Sequence, residues 1–576
     1  MQLSSSSILR ATAVTPVAGV PAFAPAKGID AGSFLQVLAA WLWLPQAALL
    51  AWAVQQLAQG AGADAMLRPA IGLLLLGLLR SGCEAWGLRR VFLTARAQLT
   101  ALRAQVAVAL AQRSPLDSAR PASGLAASVM AEQAEAVVPW RVRYQPARWR
   151  VMLVLPVIAI TVATLSWVAA LVLVLAAPLI PLFMALVGWR AKAASEAHML
   201  ELGGLNAFLL DRLRGLSTLR ALGAVDATAL RLRDAAQALR QRTMAVLRIA
   251  FLSSAVLELF AALGVAMVAV YIGFHLLGTL EFGAWGRRLS LGEGLFVLLL
   301  APAFFEPLRD LSAAWHDRAA GQAALDTLEQ LGRVGQALPG ALGATLAEDA
   351  VPSGALSVTL NDVHFSHAGG GAAVVQGCTL HVAAGAHVAL VGPSGSGKTT
   401  LLSLIAGLVA PDQGGVDIGG VPLTAATAST LRQRMAWMGQ HPHVFAGTVQ
   451  QNVSLGRAGV ARPQVEAAMQ WAALGDVAQA HPGSTLGEGG SGLSGGEAVR
   501  LALARVAVHP QAGLLLVDEP TAHLDSETAQ RVTDALLQLA VGKTLIVATH
   551  DPVLAARLGH VVQVGRPVAE ELACVR

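Results

Sequence analysis

Charged residues are scarce in this chain of 576 residues. Asp, Glu, Lys and Arg make up 13% of it, whereas an ordinary soluble protein is about a quarter charged. Hydrophobic residues make up 55%, and the mean hydropathy is +0.57. This composition excludes an ordinary soluble protein and predicts that much of the chain lies in lipid.

Lysine and cysteine are also scarce. Lysine occurs four times, so the net charge of +5 rests on arginine. This mild excess is typical of a membrane protein that follows the positive-inside rule, and we expect no nucleic-acid partner. Cys83, Cys378 and Cys574 are scattered and predict neither a disulfide framework nor a zinc site. Residues 1–30 lack a signal-peptide pattern and are interpreted as a flexible N-terminal lead.

Long apolar runs fill the first half of the chain. A bilayer-spanning helix needs about 20 apolar residues. Six spans are predicted, at 34–57, 69–91, 146–165, 167–189, 249–277 and 289–311. Residues 31–332 are therefore predicted to form a six-helix transmembrane domain. A Gly-, Ala- and Pro-rich linker at 333–355 and a soluble α/β domain at 356–576 are predicted to follow.

Arginine placement predicts the orientation in the membrane. The connection between the second and third spans contains Arg96, Arg103, Arg113 and Arg120, and ten basic residues lie at 190–248. The other connections carry few charges, although Arg287 and Arg288 count against this assignment. The positive-inside rule places both long connections in the cytoplasm, and the α/β domain is expected there too.

The segment "HVALVGPSGSGKTT" has the order strand, glycine-rich turn, helix start. In such a turn the backbone N–H groups can approach phosphates closely, and the helix dipole adds partial positive charge. Lys398 is expected to reach the outer phosphates, and the Thr399 hydroxyl to bind Mg²⁺. The predicted phosphate-binding residues are Gly392, Pro393, Ser394, Gly395, Ser396, Gly397, Lys398, Thr399 and Thr400.

Two further apolar strands end in polar residues. "GLLLVDEP" ends in Asp518 and Glu519, which are expected to hold Mg²⁺ and to orient the attacking water. The alternative is that the two acids cap the next helix. "TLIVATH" ends in His550, which is either a structural histidine or a contact to the γ-phosphate.

Together these segments resemble the nucleotide-binding domain of the ABC transporter superfamily, in family order across residues 356–576. Gln440 in "WMGQHPHVF" resembles the Q-loop, and "LSGGE" resembles the signature. "HLD", which ends at Asp525, resembles the D-loop, and His550 the switch histidine. The resemblance implies Glu519, His550 and Gln440 as catalytic residues. It also implies Thr399, Gln440 and Asp518 as Mg²⁺ ligands.

The family resemblance also explains why one domain has two helix starts suited to phosphate. In ABC proteins two such domains enclose ATP head to tail, and the signature of one faces the P-loop of the other. Ser494, Gly495, Gly496 and Glu497 are thus expected to face ATP on a partner chain. The chain departs from the family pattern in two motifs. His367 stands where a tyrosine often stacks on adenine, and Glu497 and Val499 stand where many relatives have glutamine.

The membrane half resembles the D subunits of the bacterial heterodimeric CydDC exporters. The likeness is carried by segments such as "PLIPLFMALVGWRA", "FLLDRLRGLSTLR" and "LAPAFFEPLRDLSAAWHDRAA". It implies a bacterial inner-membrane protein with a CydC-like partner that exports glutathione and cysteine and supports cytochrome bd assembly. The family is also credited with a role in handling haem. The sequence leaves open whether the substrate is a thiol or haem.

Four residues are candidates for a substrate cavity: Arg80, Arg309, Trp315 and His316. Charged groups at membrane depth usually line a cavity. Arg80 either contacts a substrate carboxylate or pairs with Glu84 one turn away. The polar face at Arg309 and His316 either lines a vestibule or is a solvated helix end. Trp315 and His316 would suit a haem-like ring.

Three functions compete at this stage. The first is an ATP-driven half-exporter, as above. The second is a non-transporting, membrane-anchored ATPase that serves assembly or sensing. The third is a lipid or peptide exporter of the same architecture. Glu519 and His550 beside a six-span domain favour transport.

Overall fold

The architecture is described from a computed structural model of the chain. The description covers residues 28–565, except 61, 63–65, 122, 181–207, 210–211, 214, 334, 342–350, 368–372, 458, 473, 475–481, 488–492, 510 and 523. The described chain divides into two compact units. One contains residues up to 106 and 123–331, and the other contains 107–122 and the residues from 332 onward. The predicted domain boundaries stay a prediction.

Long helices dominate the membrane half. They are α1 (Ala31–Trp41), α2 (Trp43–Ala58), α3 (Leu67–Ala111), α4 (Ser123–Ala131), α5 (Val137–Pro139), α6 (Gln145–Leu165), α7 (Trp167–Ala176), α8 (Leu216–Ala221), α9 (Val225–Leu276), α10 (Leu291–Ala313) and α11 (Trp315–Gly332). A 3₁₀ turn at Gln133–Ala136 and a π-helix at Trp140–Tyr144 lie on either side of α5.

Five stretches of the described chain are long and apolar enough to cross a bilayer. They are Ala31–Ala58, Leu67–Ala111, Ser123–Leu165, Ala255–Leu276 and Leu291–Gly332. These stretches overlap five of the six predicted spans. The remaining prediction, 167–189, begins with α7 and runs into residues outside the description.

A single residue separates α6 from α7. Ser166 is extended (φ −147°, ψ 115°), and its Oγ accepts the Ala169 N–H, which caps α7. The same Oγ lies 3.1 Å from the Tyr271 hydroxyl and donates to the Gly283 carbonyl at 2.9 Å. The connection expected around Ser166 is thus as short as a connection can be, and it is buried and hydrogen-bonded.

Close packing joins α9 to α10. A Cβ atom on Gly264 would lie 2.5 Å from the Phe305 ring, so only glycine permits this approach. Phe304 and Phe305 stack edge to face at 5.3 Å, and both are buried. Helices that already lie in lipid gain little hydrophobic free energy when they associate. They are held together instead by close contacts such as this one between a small and a large side chain.

The α/β unit contains an antiparallel and a parallel sheet. The strands are β1 (Val358–Phe365), β2 (Val375–Val382), β3 (His387–Val391), β4 (Gln413–Ile418), β5 (Val421–Pro422), β6 (Met435–Met438), β7 (Gly447–Thr448), β8 (Thr485–Leu486), β9 (Leu514–Asp518), β10 (Thr544–Thr549) and β11 (His560–Gln563). The antiparallel sheet has the order β2-β1-β4-β5 and the parallel sheet β11-β3-β10-β9-β6, while β7 and β8 pair separately.

Helices cover the parallel sheet. They are α12 (Lys398–Ile405), α13 (Ala428–Gln433), α14 (Val449–Ser454), α15 (Arg462–Trp471), α16 (Gly495–Ala507), α17 (Ser526–Leu539) and α18 (Pro552–Leu558). Alternate residues of β9 enter two different cores, Leu514 and Leu516 on one face and Leu515 and Val517 on the other. Burial on both faces explains why β9 and β10 are continuous apolar runs.

The start of the predicted linker at 333–355 is ordered. Its main chain pairs with residues of the first predicted cytoplasmic connection: Ser114 N–H donates to Gln336 O and Leu338 N–H donates to Gln112 O, each at 2.8 Å. This pairing explains why residues 107–122 group with the α/β unit. The centre of the linker, 342–350, lies outside the described residues.

Candidate nucleotide site

One edge of the parallel sheet collects the predicted catalytic residues. Val391 lies beside Thr549, Asp518 beside Ala548, and Met438 beside Val517, so four strands end almost in line. The segments that follow β3, β9, β10 and β6 carry the P-loop, Glu519, His550 and Gln440. Ligands bind at this carboxyl edge in open α/β sheets, so the topology creates a crevice suited to a nucleotide.

The P-loop connects β3 to α12 and depends on its glycines. Gly395 (φ +81°) and Gly397 (φ +93°) adopt the left-handed conformation. A Cβ on Gly392 would lie 2.4 Å from the Val564 carbonyl oxygen, so a larger residue cannot fit there. A Cβ on Gly395 would meet nothing within 4 Å, which shows that this part of the loop is open.

The start of α12 has unused hydrogen-bonding capacity. Gly397 is the N-cap and provides no side-chain cap, so the first N–H groups of the helix lack that partner. The buried Ser396 Oγ also has no hydrogen-bond partner among the described residues. Pro393 and Ser394 are exposed at the tip, and Thr400 is buried beneath it. These groups fit a bound phosphate.

Lys398 is buried within the loop. It is 6% exposed, and its Nζ donates to the carbonyls of Gly392 (2.9 Å) and Pro393 (3.1 Å). These carbonyls accept hydrogen bonds from the ammonium group, whose burial would otherwise cost considerable free energy. The loop thus holds a cation where the sequence predicts the outer phosphates.

Two predicted Mg²⁺ ligands touch each other. Thr399 Oγ1 donates to Asp518 Oδ2 at 2.8 Å, and Asp518 is 2% exposed. Burial raises the pKa of the Asp518 carboxyl, an effect that the Thr399 hydrogen bond opposes. A hydroxyl and a carboxylate are hard oxygen donors, which suit Mg²⁺. The residues present therefore fit the ion that the ABC family implies.

Glu519 is the meeting point of the three predicted catalytic residues. Its Oε2 lies 3.0 Å from His550 Nδ1 and 3.4 Å from Gln440 Nε2. The residue has φ +46°, a left-handed conformation that costs a non-glycine residue about 1–3 kcal/mol. Its backbone N–H donates to Ala548 O at 2.9 Å, which holds it in this conformation. The fold therefore maintains local strain where the sequence predicts the catalytic carboxylate.

Two residues absent from the sequence prediction support this arrangement. Thr521 Oγ1 donates to Asp551 Oδ2 at 3.0 Å and joins the segments that follow β9 and β10. Asp551 Oδ1 also accepts the Val553 N–H at the start of α18. A Ser, Thr or Asp just before a helix signals a cap. That pattern identifies the cap at Asp551 but not its contact with Thr521.

His367 follows β1 and is exposed, and its ring meets Phe365 edge to face at 5.1 Å. The next residues, 368–372, lie outside the description. The Phe365 contact limits the orientation of the imidazole. Its stacking on adenine stays a prediction.

The signature forms the start of α16. Ser494 is the N-cap: its Oγ accepts the Glu497 N–H, while the Glu497 carboxylate accepts the Ser494 N–H at 2.7 Å. This reciprocal pair is a capping box. Space is open around Gly495, and a Cβ on Gly496 would meet Leu524 at 3.4 Å. Among the described residues, no hydrogen bond joins the signature to this chain's own P-loop.

The capping box predicts different effects for two substitutions of Glu497. Glu497→Gln keeps an acceptor for the Ser494 N–H, whereas Glu497→Ala removes it and should destabilise the helix start by about 1 kcal/mol. We expect thermal unfolding of the assembled complex to show a lower Tm for the alanine variant only. Equal Tm values for the two variants would contradict this role of Glu497.

The D-loop residue Asp525 begins the next helix. Its Oδ1 accepts the Thr528 N–H at 2.9 Å and caps α17. That hydrogen bond lowers the pKa of the Asp525 carboxyl. His523 in the same motif lies outside the described residues.

The four predicted cavity residues have separate surroundings. The Arg80 guanidinium lies 5.1 Å from the Trp43 ring centroid, and no ion pair with Glu84 is found between these two described residues. Arg309 Nε lies 3.5 Å from Glu258 Oε2. This cation–π contact and this ion pair reduce the cost of charge at membrane depth. Contact with a substrate stays a prediction.

The Trp315 ring is 41% exposed and contacts two other side chains, and its use with His316 as a ring-binding surface stays a prediction. Arg318 lies 5.2 Å from the Trp315 ring centroid, and Tyr144 meets the same ring edge-on at 6.1 Å. His316 is exposed beside it.

Comparison with known proteins agrees with this geometry. Residues 375–522 match the family described as ABC transporter, and residues 149–296 match the family described as ABC transporter transmembrane region. The glutathione/L-cysteine transport system ATP-binding/permease protein CydD of Escherichia coli (strain K12) is 35% identical over 515 residues, which is 87% of this chain and 86% of that protein.

Two further likenesses extend across the chain. The protein of the same name from Haemophilus influenzae is 36% identical over 77% of this chain and 76% of its own length. A solved bacterial Atm1-family ABC exporter with ATP bound has a TM-score of 0.72, covers 92% of each chain and is 23% identical. That structural match supports the predicted fold class, a membrane helical domain joined to an α/β P-loop domain.

Proposed function

The chain belongs to the ABC transporters, among the CydD-like ATP-binding/permease proteins, and from that premise we propose that it is one half of a heterodimeric bacterial exporter of glutathione or cysteine. It is a multi-pass membrane protein whose ATP hydrolysis is coupled to transport. The proposed location is the inner membrane, with the α/β domain in the cytoplasm. Thiol export of this kind would support the assembly of cytochrome bd.

The position of Glu519 carries this proposal. The carboxylate lies at the crevice edge within reach of His550 and Gln440, so this chain retains a complete set of hydrolytic side chains. An anchoring or sensing ATPase would also hydrolyse ATP, so the long membrane-spanning helices and the likeness to the permease CydD are what favour transport. A lipid or peptide exporter is the third alternative, and the likeness to CydD over most of the chain disfavours it.

The residues of the crevice have different roles in ATP binding and hydrolysis. Lys398 and the first N–H groups of α12 bind the phosphates of ATP. Thr399 and Asp518 would hold Mg²⁺, which neutralises charge on the phosphates when bound. Glu519 orients the attacking water and accepts its proton, and His550 steadies the carboxylate and contacts the γ-phosphate. Gln440 contacts Glu519 and so connects the segment that follows β6 to the catalytic carboxylate.

A CydC-like partner is proposed because the signature of this chain has no P-loop to face within the chain. Ser494 caps α16 and is free of hydrogen bonds to the P-loop in the part of the chain that the structure describes. The ABC family arrangement would place it against ATP on the partner. Each composite site then takes its P-loop from one chain and its signature from the other.

A thiol substrate is favoured over haem. Glutathione and haem both carry carboxylates, which suit arginines such as Arg80 and Arg309, so these arginines do not distinguish the two substrates. Arg318 lies 5.2 Å from the Trp315 ring centroid, but Trp315 is 41% exposed, so a haem contact at Trp315 and His316 stays a prediction. The two CydD relatives described above are named as glutathione/L-cysteine transport system proteins.

Inverted membrane vesicles that hold both subunits test the proposal. We expect ATP-dependent uptake of labelled glutathione or cysteine, and no uptake when the vesicles carry Glu519→Gln. Vesicles that hydrolyse ATP but accumulate neither thiol would point to the anchored ATPase. Uptake of haem alone would reject the thiol assignment.

This chain purified without its partner is expected to hydrolyse ATP at less than about a hundredth of the rate of the complex. The reason is that its P-loop then lacks the partner's signature. Phosphate release measured on both preparations in the same lipid checks this. Robust turnover by a homodimer of this chain would contradict the heterodimer.

A further inference from the structure

Arg505 lies in the last turn of α16, within the apolar run "LALARVA". Charged residues are rarely placed in such a run unless their charge is used. Burial lowers the pKa of the Arg505 guanidinium, and the nearby Arg457 lowers it further. No carboxylate within ion-pair distance of it is found in the described part of the chain. Burying a guanidinium without a neighbouring carboxylate costs free energy, so the position of Arg505 indicates a specific function.

The Arg505 guanidinium donates three hydrogen bonds. Nε donates to Asn452 O at 2.7 Å, and Nη2 donates to Asn452 Oδ1 at 2.8 Å. Nη1 donates to His443 O at 2.7 Å. The Phe445 ring centroid lies 5.9 Å from the guanidinium carbon. One side chain thus joins α16 both to α14 and to the segment that follows Gln440.

Asn452 completes the connection. It is 1% exposed, and its amide group makes both backbone bonds to Phe445: Nδ2 donates to Phe445 O at 2.8 Å and Oδ1 accepts the Phe445 N–H at 2.9 Å. The segment His443–Phe445 is therefore clamped on both sides. His443 and Phe445 themselves are exposed. The clamp holds a segment that begins three residues after Gln440 and whose central residue, Val444, is buried.

We propose that Arg505 is a positioning residue that makes the segment Gln440–Phe445 and the signature helix α16 move as one body. Gln440 contacts Glu519 at one end of this body, and Ser494 begins α16 at the other. A change at this chain's own ATP would then reach the signature that faces the partner's ATP. The inference rests on the proposed function, since it assigns a task to Arg505 within ATP-driven transport.

Only arginine can make this set of contacts. Its planar guanidinium directs donors to three acceptors at once, whereas a lysine ammonium on the same stem reaches one or two. A purely structural role as a helix-end contact for α14 is the competing explanation. That role would lower stability without altering turnover by the folded complex.

Arg505→Lys and Arg505→Ala, in the complete two-subunit complex in lipid, separate the two roles. We expect kcat for ATP to fall about tenfold in both variants while KM stays within about twofold of wild type. The Phe445 amide should also exchange hydrogen faster. Arg531→Ala is the control, because Arg531 is exposed on α17 and its ion pair among the described residues is with Glu527 one turn away.

The outcomes either support or overturn the inference. A lower Tm with wild-type kcat per folded complex overturns it, as does unchanged exchange at Phe445. If neither variant assembles, Arg505 is a folding residue and the inference is again overturned. Hydrolysis and exchange do not involve the transported molecule. A wild-type complex that moves no thiol would therefore reject the proposed function while leaving this test intact.

Discussion

Glu519→Gln is expected to slow ATP hydrolysis at this chain's P-loop by about 100-fold or more. Glutamine has the shape of glutamate but cannot accept the proton of the attacking water. The φ of +46° at this position is equally strained for both residues, so the substitution changes chemistry rather than backbone geometry. ATP binding should persist, because Lys398 and the α12 start hold the phosphates.

Phosphate release and retention of labelled nucleotide by the complex measure the two effects. Glu527→Gln is the matched control, since Glu527 is exposed on α17 and pairs with Arg531. An unchanged rate of hydrolysis would mean that Glu519 is not the base or that the partner's site does the work. The equivalent substitution in the partner, alone and combined with Glu519→Gln, distinguishes these two explanations.

Lys398→Ala is expected to weaken ATP binding at this chain's P-loop about 100-fold. In the structure the ammonium is held by two carbonyls of the loop, at 2.9 and 3.1 Å. Phosphate oxygens would replace these weaker acceptors with charge-assisted bonds. Alanine removes those bonds and leaves the Gly392 carbonyl without the Nζ donor, while the Pro393 carbonyl keeps the Ser396 N–H at 3.2 Å.

Photolabelling of the complex with an azido-ATP analogue reports on each subunit separately after electrophoresis. Labelling of this chain should be lost in Lys398→Ala at concentrations that saturate wild type. Lys543→Ala is the control, because Lys543 lies in the turn between α17 and β10. Wild-type labelling of Lys398→Ala would show that Lys398 only braces the loop.

The membrane spans are the part of the fold that composition alone predicts. Five predicted spans overlap apolar helices of the described chain. A helix that crosses a bilayer must be long and hydrophobic, and both properties can be counted along the sequence. What the pattern cannot supply is the partner of each polar side chain. Arg150 Nη1 pairs with Asp310 Oδ2 at 2.9 Å across 160 positions, and Arg80 lies over Trp43 rather than beside Glu84.

The P-loop and the signature could be identified from the sequence because each is a contiguous strand, turn or helix start. Glycine placement and capping depend on neighbours a few residues away, so local chemistry determines them. The convergence of Glu519, His550 and Gln440 was expected from family order, but their distances come from the strand order β3-β10-β9-β6. Strand order is a property of the sheet as a whole.

By itself, the sequence determined that this is a membrane protein with an ATP-binding domain, since apolar runs and phosphate-binding turns are local features. Tertiary structure alone decided that Thr521 joins Asp551, that Arg318 lies over the Trp315 ring and that Arg505 clamps the segment after Gln440. These contacts join residues on different elements. They depend on how helices and strands pack, and no periodicity along the chain encodes which distant groups will be placed within hydrogen-bonding distance.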